Sequence, residues 1–401
     1  MRNVLRELVV ALVLLAACSA LLAAAPDEAS SGLVRRIVVF RQGFVNEPAQ
    51  AALLRAFQGE PLRSLPLVNG MAVLLPPPAE KLLAGRPEVL RVDEDARVQA
   101  LGAPVQVVAA KGRIVPQPPQ EMAWGVNRID AEWAWSTSTG RGITVAVIDT
   151  GIDARHPDLA ANMAGGINLV RRAASKPPDP NAWADDNGHG THVAGIIAAL
   201  NNAIGVVGVA PDAHLFAIKV LNRSGSGYVS DIITGLQWCL VTGVQVANMS
   251  LSTNTDVPSL HDACDLAASG GVILVAAAGN DGAAVDYPAA YPSVIAVGAT
   301  DRTDARASWS SFGPELDLAA PGVSIKSTWK DSGYAWASGT SMAAPHVAGT
   351  LALALAAGLS TDLGASADDL PPTGPDDYTG WGLVDAGEAG TGIVDLGDNL
   401  P

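Results

Sequence analysis

Four short stretches place polar residues where chemistry is readily arranged. In ASGTSMAAPHVAG (337–349), Ser341 follows Gly339 and Thr340 and opens a run that reads as a helix, with Pro345 four residues on. A serine there is either a helix N-cap or a nucleophile, since free N–H groups at a helix start can stabilise developing negative charge. A nucleophilic serine needs a base, an orienting acid and a second oxyanion donor. VAVIDTGID offers Asp149 after an apolar run and just before Gly151; DNGHGTHVAGIIAAL offers His189 between two glycines ahead of an apolar helix; AAAGNDG offers Asn280. Singly, each has an ordinary reading as a turn-former or a loop residue satisfied by its own backbone. Together they supply acid, base, amide donor and nucleophile.

Such groups act only if elements bring them to one place. From residue 120 the chain alternates short apolar runs, GITVAVID (142–149), HLFAIKVL (214–221), VQVANMSL (244–251), VILVAAA (272–278) and VIAVGA (294–299), with helical stretches or long loops. Runs apolar at every position suit strands buried on both faces of a parallel sheet, so residues 120–391 read as one doubly wound α/β domain, mainly parallel, with helices on both faces. In such sheets functional groups gather at the carboxyl ends of the strands, where Asp149 and Asn280 fall. Residues 35–101 form a smaller unit: RIVVFR, the helical PAQAALLRAF, NGMAVLLP, the short helix AEKLLAG and VLRVDED suggest a ferredoxin-like α+β sandwich. Residues 102–119 read as a linker without usable periodicity, and 392–401 as a tail.

With 401 residues, 49% hydrophobic and 16% charged, the chain can bury a large core. Its net charge of −15 argues against nucleic acid or an anionic membrane surface as partner. The N-terminus, MRNVLRELVVALVLLAACSALLAAAP, reads as a signal peptide over 1–25, with Ala23 and Ala25 before the cut. LAAC (15–18) also resembles a lipobox, which would end the signal before Cys18 and make a lipid anchor the only link to a membrane; an uncleaved anchor is the third reading. All three export the chain, and no later segment is expected to span a membrane. Cys239 and Cys264 are either a disulfide, which export permits, or two buried thiols.

The blocks DTGID, NGHGTHVAG, AAAGN and GTSMAAPHVAG occur in the order in which subtilisin-type serine proteases carry their active-site blocks, and the chain resembles that family over nearly all of 120–390. Residues 35–101 are similar to the inhibitor-like propeptide that precedes these enzymes. The resemblance implies a secreted serine endopeptidase made as a self-processing proenzyme and inhibited by its own propeptide. Ser341 would attack the scissile carbonyl, His189 would act as base and then acid, and Asp149 would orient the imidazole. The Asn280 amide and the Ser341 N–H would form the oxyanion hole. His192 and His346 read as buried packing; His156, His214 and His261 have no assigned role. The esterase reading lacks a G-x-S-x-G elbow around Ser341.

The same resemblance implies a groove for protein or peptide substrates. Ser250, Leu251 and Ser252 would form one wall of the main pocket, Ala277 to Gly279 the other, and extended pairing makes broad specificity the expectation. Ser252 and Thr253 stand where the family usually has two glycines. Asp286 falls at the pocket-floor position and would favour Lys or Arg before the cut; the alternative is a solvated loop aspartate. Self-cleavage would fall after Leu101, or in the linker after Arg113. LNNAIGVVGVAP (200–211) resembles the family's calcium loop, implying a structural Ca²⁺ held by Asn202, carbonyls of Leu200, Ile204 and Val206, Asp158 and Gln120, an oxygen set with one carboxylate. No organic cofactor is implied. The insert 171–187 carries Asp179, Asp185 and Asp186 as either a second cation site or a solvated loop.

Overall fold

The computed structural model describes residues 32–43, 46–108, 117–170 and 179–393. The signal-peptide and lipobox readings, Cys18, Arg113 and the tail from residue 394 lie outside the described residues. Near the N-terminus, strands β1 (Val34–Phe40), β2 (Glu60–Leu65), β3 (Gly70–Leu75) and β4 (Val89–Glu94), with helices α1 (Glu47–Ala56) and α2 (Pro77–Ala84), form a sheet ordered β2-β3-β1-β4. That is the ferredoxin-like order, with one strand more than the sequence reading held. EPLRSL (β2) escaped because proline and arginine interrupt its apolar pattern, and partial burial against neighbouring elements makes it a strand. Alternate residues of β1 serve two cores: Val38 and Phe40 pack with Leu54 and Leu83 of the unit's own helices, whereas Ile37 and Val39 join a core shared with the large domain.

Strand β5 (Arg97–Ala100) and strand β6 (Ala103–Val108) then leave this unit and cross the large domain. The second was expected to be structureless linker; it forms because its backbone pairs with an edge strand described below, a partner no local pattern announces.

The large domain is built on seven parallel strands: β7 (Thr144–Asp149), β8 (Met163–Asn168), β9 (His214–Lys219), β11 (Val246–Met249), β13 (Ile273–Ala277), β14 (Val294–Thr300) and β15 (Leu318–Pro321), ordered β15-β14-β13-β11-β7-β9-β8. The five expected runs are the five inner strands. The edge strands β8 and β15 were missed: MAGGIN is glycine-rich and partly exposed, and LAAP is only four residues long. Short segments also matter here: β10 (Ser226–Tyr228) and β12 (Leu251–Ser252) flank β5, and β16 (Ile325–Trp329) with β17 (Gly333–Ser338) makes a hairpin.

Burial on both faces explains the uninterrupted apolar runs. In β7, Val145 and Val147 face the core that includes helix α3 (His189–Ala198) and helix α6 (Thr340–Ala357), while Ala146 and Ile148 face the core with helix α4 (Val229–Thr242) and helix α5 (Pro258–Ser269). Helix α6 is apolar all round because the domain encloses it. By length and composition it would pass as a membrane span, contrary to the reading that no later segment does; 83% of it is buried in the protein interior. Cys239 and Cys264 are buried free thiols, which removes the disulfide alternative. Burial pushes the Cys239 thiol up to about 12.

Candidate active site

Asp149 ends β7, and His189 begins α3, so contact between them requires the helix start to approach the strand end closely. The glycines around His189 permit this. A Cβ on Gly190 would lie 2.2 Å from the Gly151 carbonyl oxygen and 3.1 Å from Asp149 Oδ1. Gly188, at φ +119°, lies against the Trp329 ring, where a Cβ would come within 2.3 Å. His189 Nδ1 lies 2.9 Å from both Asp149 carboxylate oxygens, and Thr150 N–H donates to Oδ1 at 2.6 Å. The ring therefore carries its Nδ1 proton toward Asp149 and leaves Nε2 facing the cleft. Burial alone would pull the imidazole down, but the charge and hydrogen bond of Asp149 outweigh it and hold His189 above the ordinary histidine value.

A residue the sequence reading left unassigned builds this turn. Asp185 accepts from Thr150 Oγ1, the N–H groups of Asn187, Gly188 and Thr191, and Thr191 Oγ1. An aspartate just ahead of an apolar helix was the available signal. Its neighbour Asp186 pairs with the buried Lys219 at 2.7 Å. Of the insert's two final aspartates, one is a half-buried hydrogen-bond hub and the other an ion-pair partner.

Ser341 stands in the first turn of α6, and Pro345 determines its backbone partner. Proline lacks the N–H that would bond the carbonyl four residues back. The freed Ser341 carbonyl accepts instead from Ser250 Oγ at 2.9 Å, and Ser341 Oγ donates to the Ser250 carbonyl at 2.9 Å. The hydroxyl thus rests on Ser250 in this structure; His189 Nε2 lies 3.2 Å from the Leu101 carbonyl oxygen, which accepts from it when the ring is protonated. Leu101 N–H also donates to the Ser250 carbonyl, at 3.3 Å, which brings the Leu101 peptide beside the hydroxyl.

Asn280 also lies near that peptide, across Gly339. Its Oδ1 accepts from Thr340 N–H and Oγ1 at 3.0 and 2.9 Å, leaving Nδ2 as the free donor. A Cβ added to Gly339 would lie 2.9 Å from the Leu101 oxygen and 3.1 Å from Asn280 Nδ2, so glycine keeps that space open. Thr340 was not among the expected residues, and its orienting contact becomes visible only across 60 residues of sequence.

The segment 97–101 lies in the groove like a third strand. Gln99 and Val98 pair antiparallel with β10, and Ala100 and Gln99 with β12. Ser250, Leu251 and Ser252 are buried along one side; β10, on the other side, was missed because SGSGY reads as a turn. Gly279 and Ser252 converge on Asp286: Ser252 Oγ donates to Oδ2 at 2.8 Å, and a Cβ on Gly279 would lie 2.8 Å from it. Asp286 is half-buried between the two walls, not a freely solvated loop residue. Burial pushes its carboxyl up, against the Ser252 hydrogen bond.

The six residues of the expected cation loop form one cluster. Asp158 is fully buried and accepts from Asn202 Nδ2, Val206 N–H and Tyr334 Oη. Gln120 Nε2 reaches the Leu200 carbonyl at 3.2 Å, and Ile204 bridges Pro119. One expectation differs: Asn202 turns Nδ2 to Asp158 and gives Oδ1 to the Ile204 N–H at 2.7 Å, because that nearby donor satisfies the oxygen. Val206 likewise meets Asp158 through its N–H. The donor set of one carboxylate with amide and carbonyl oxygens fits a hard cation such as Ca²⁺, given rotation of the Asn202 amide. No cluster of three or more acidic, His or Cys residues occurs among the described residues.

The remaining histidines are structural. His192 is buried beside the Ile325 and Ala335 carbonyls, and burial, reinforced by nearby His189, pulls it down to about 3; burial pulls His346 down to about 4. His156 contacts the Gly333 carbonyl, His261 stacks on Tyr291, and His214 is exposed.

A buried Asp–His pair and a serine at a helix start, gathered at the carboxyl ends of parallel strands, place this chain among the α/β serine peptidases. Residues 140–370 match the subtilase family, and the chain belongs to that family and is a serine endopeptidase. It is 44% identical to an alkaline protease of Alkalihalobacillus alcalophilus over 309 residues, covering 77% of this chain and 72% of that protein. Over 303 residues it is 44% identical to subtilisin E of Bacillus subtilis (strain 168), covering 74% and 73%. Over 236 residues it is 52% identical to subtilisin Savinase of Lederbergia lenta, covering 58% and 84%.

Proposed function

We propose that this chain is an exported, self-processing endopeptidase that cuts extended polypeptides through Asp149, His189 and Ser341. The observation that carries the reading is the lie of its own segment 97–101: a strand in the groove, with the Leu101 carbonyl beside His189 Nε2, the space at Gly339 and the Asn280 amide. Turning about χ1, the Ser341 hydroxyl leaves Ser250 and gives its proton to His189 as it attacks that carbonyl. Asp149 stabilises the resulting imidazolium, and Asn280 Nδ2 with the Ser341 N–H takes the charge on oxygen. His189 then protonates the Gly102 amine, which departs. Water repeats the sequence and frees the Leu101 carboxylate.

Residues 35–101 act as propeptide. Ile37, Val39, Leu62 and Leu65 share a core with α4 and α5, and burying an aliphatic side chain of this size contributes about 1.5–3 kcal/mol. Asp95 accepts from Ser230 N–H and Oγ at the start of α4, a cap supplied in trans. These contacts would hold the unit over the groove after the cut. Backbone pairing makes the specificity broad, while Asp286 favours Lys or Arg before the cut, where a cation offsets a costly carboxylate. The segment's own Leu101 marks this as a preference and not a requirement. Asp158, Asn202, Gln120 and the carbonyls of Leu200, Ile204 and Val206 would hold Ca²⁺, which stiffens the loop and takes no part in the reaction. Export rests on the N-terminal apolar stretch behind two arginines.

Casein hydrolysis by the purified enzyme, abolished by a serine-directed phosphonate, tests the activity. A Ser341→Ala chain that still loses residues before Gly102 in a purified sample would overturn self-processing.

A further inference from the structure

We propose that the open edge of β17 is a substrate site on the far side of the cut, taking about seven residues C-terminal to the scissile bond as an added strand. This rests on the function proposed above and extends its groove. Pairing of the chain's own segment does not stop at the reacting peptide. Residues 97–100 pair with β10 and β12, only Leu101 and Gly102 intervene, and residues 103–108 then pair antiparallel with β17. The register runs from Ala103 opposite Ser338 to Val108 opposite Tyr334, with an irregularity between Trp336 and Ala337. The other edge of β17 is occupied by β16, so β6 is the outer strand of this three-stranded sheet.

Once the bond after Leu101 is cut, nothing covalent holds β6 in line with the groove. Departure of the segment would leave a row of unpaired N–H and C=O groups on β17, a template for any extended chain. The occupant is the C-terminal half of the next protein substrate, because that half leaves the reacting centre along the path that 102–108 takes here. Backbone pairing makes little demand on side chains, so the site selects for length and extension. Pro104 lies in register with Ala337, so the third residue after the cut need not donate an N–H.

The test uses the mature, self-processed enzyme and quenched peptides that share every residue through the second position after the cut and end two, four, seven or nine residues after it. The expected result is at least a tenfold rise in kcat/KM from the shortest to the seven-residue form, then a plateau, since one net hydrogen bond is worth roughly 2–12-fold. N-methylation at the fourth to seventh positions should cost activity at alternating sites, the signature of an antiparallel ladder. Equal cleavage of all four lengths would overturn the proposal. So would a mature enzyme that begins at Gly102 and keeps the 334–337 amides as protected from exchange as the uncut Ser341→Ala chain, because β6 would then be a permanent strand. Failure to cut any peptide would instead overturn the function itself.

Discussion

Ser250 makes two buried contacts that one substitution removes. Its Oγ donates to the Ser341 carbonyl and accepts from Asn248 Nδ2, both at 2.9 Å, and all three residues are fully buried. Ser250→Ala strands the carbonyl and the amide together. Each unmade buried hydrogen bond costs about 1–3 kcal/mol, so the two together cost about 2–6 kcal/mol, or roughly 2–7 °C in Tm for a protein of this size. The cause can be isolated because the carbonyl needs Ser250 only while residue 345 is proline. Pro345→Ala supplies an N–H to that carbonyl, and in this background Ser250→Ala should cost about 1–3 kcal/mol less. The assay is urea unfolding of the four combinations in a Ser341→Ala chain, which cannot digest itself and keeps the carbonyl in place. Losses that simply add, to within about 0.5 kcal/mol, would refute the account of why the serine and the proline occur together.

Four other outcomes are expected. The rate requires neutral His189, and Asp149 raises that imidazole, so kcat/KM should fall as pH drops through a value above the ordinary histidine range; Asp149→Asn should move this limb lower and reduce kcat by on the order of 10⁴, the loss known for this type of triad. Asn280→Leu should lower kcat by about 10²–10³-fold with little change in KM, as known for the equivalent donor in this family, checked by steady-state kinetics. Asp286→Ala should reduce the ratio of kcat/KM for Lys over Leu before the cut by about tenfold, and an unchanged ratio would remove Asp286 from the pocket. Adding a chelator should lower Tm by roughly 4–7 °C, and Asp158→Asn should abolish that difference; a chelator-independent Tm would remove the cation.

Much of the architecture was legible because its physics is local. A strand buried on both faces must be apolar at every position, and the five inner strands therefore announced themselves, as did the small unit's main helices. Edge strands did not: MAGGIN and LAAP have little to bury, and EPLRSL alternates poorly. Segment 103–108 read as linker because what makes it a strand is an unpaired edge more than 200 residues further along.

The site divides along the same line. Residue types and order singled out Asp149, His189, Asn280 and Ser341 as candidates for acid, base, amide donor and nucleophile, because each follows a strand or opens a helix, and such boundaries have sequence signatures. Which oxygen each side chain meets was a matter for tertiary structure. Thr340 turns the Asn280 amide, Asp185 builds the turn that presents His189, and Ser250 takes the carbonyl that Pro345 leaves without a donor. Hydrogen bonds of this kind join residues tens to hundreds of positions apart within about 3 Å, so only the folded chain determines which donors and acceptors meet.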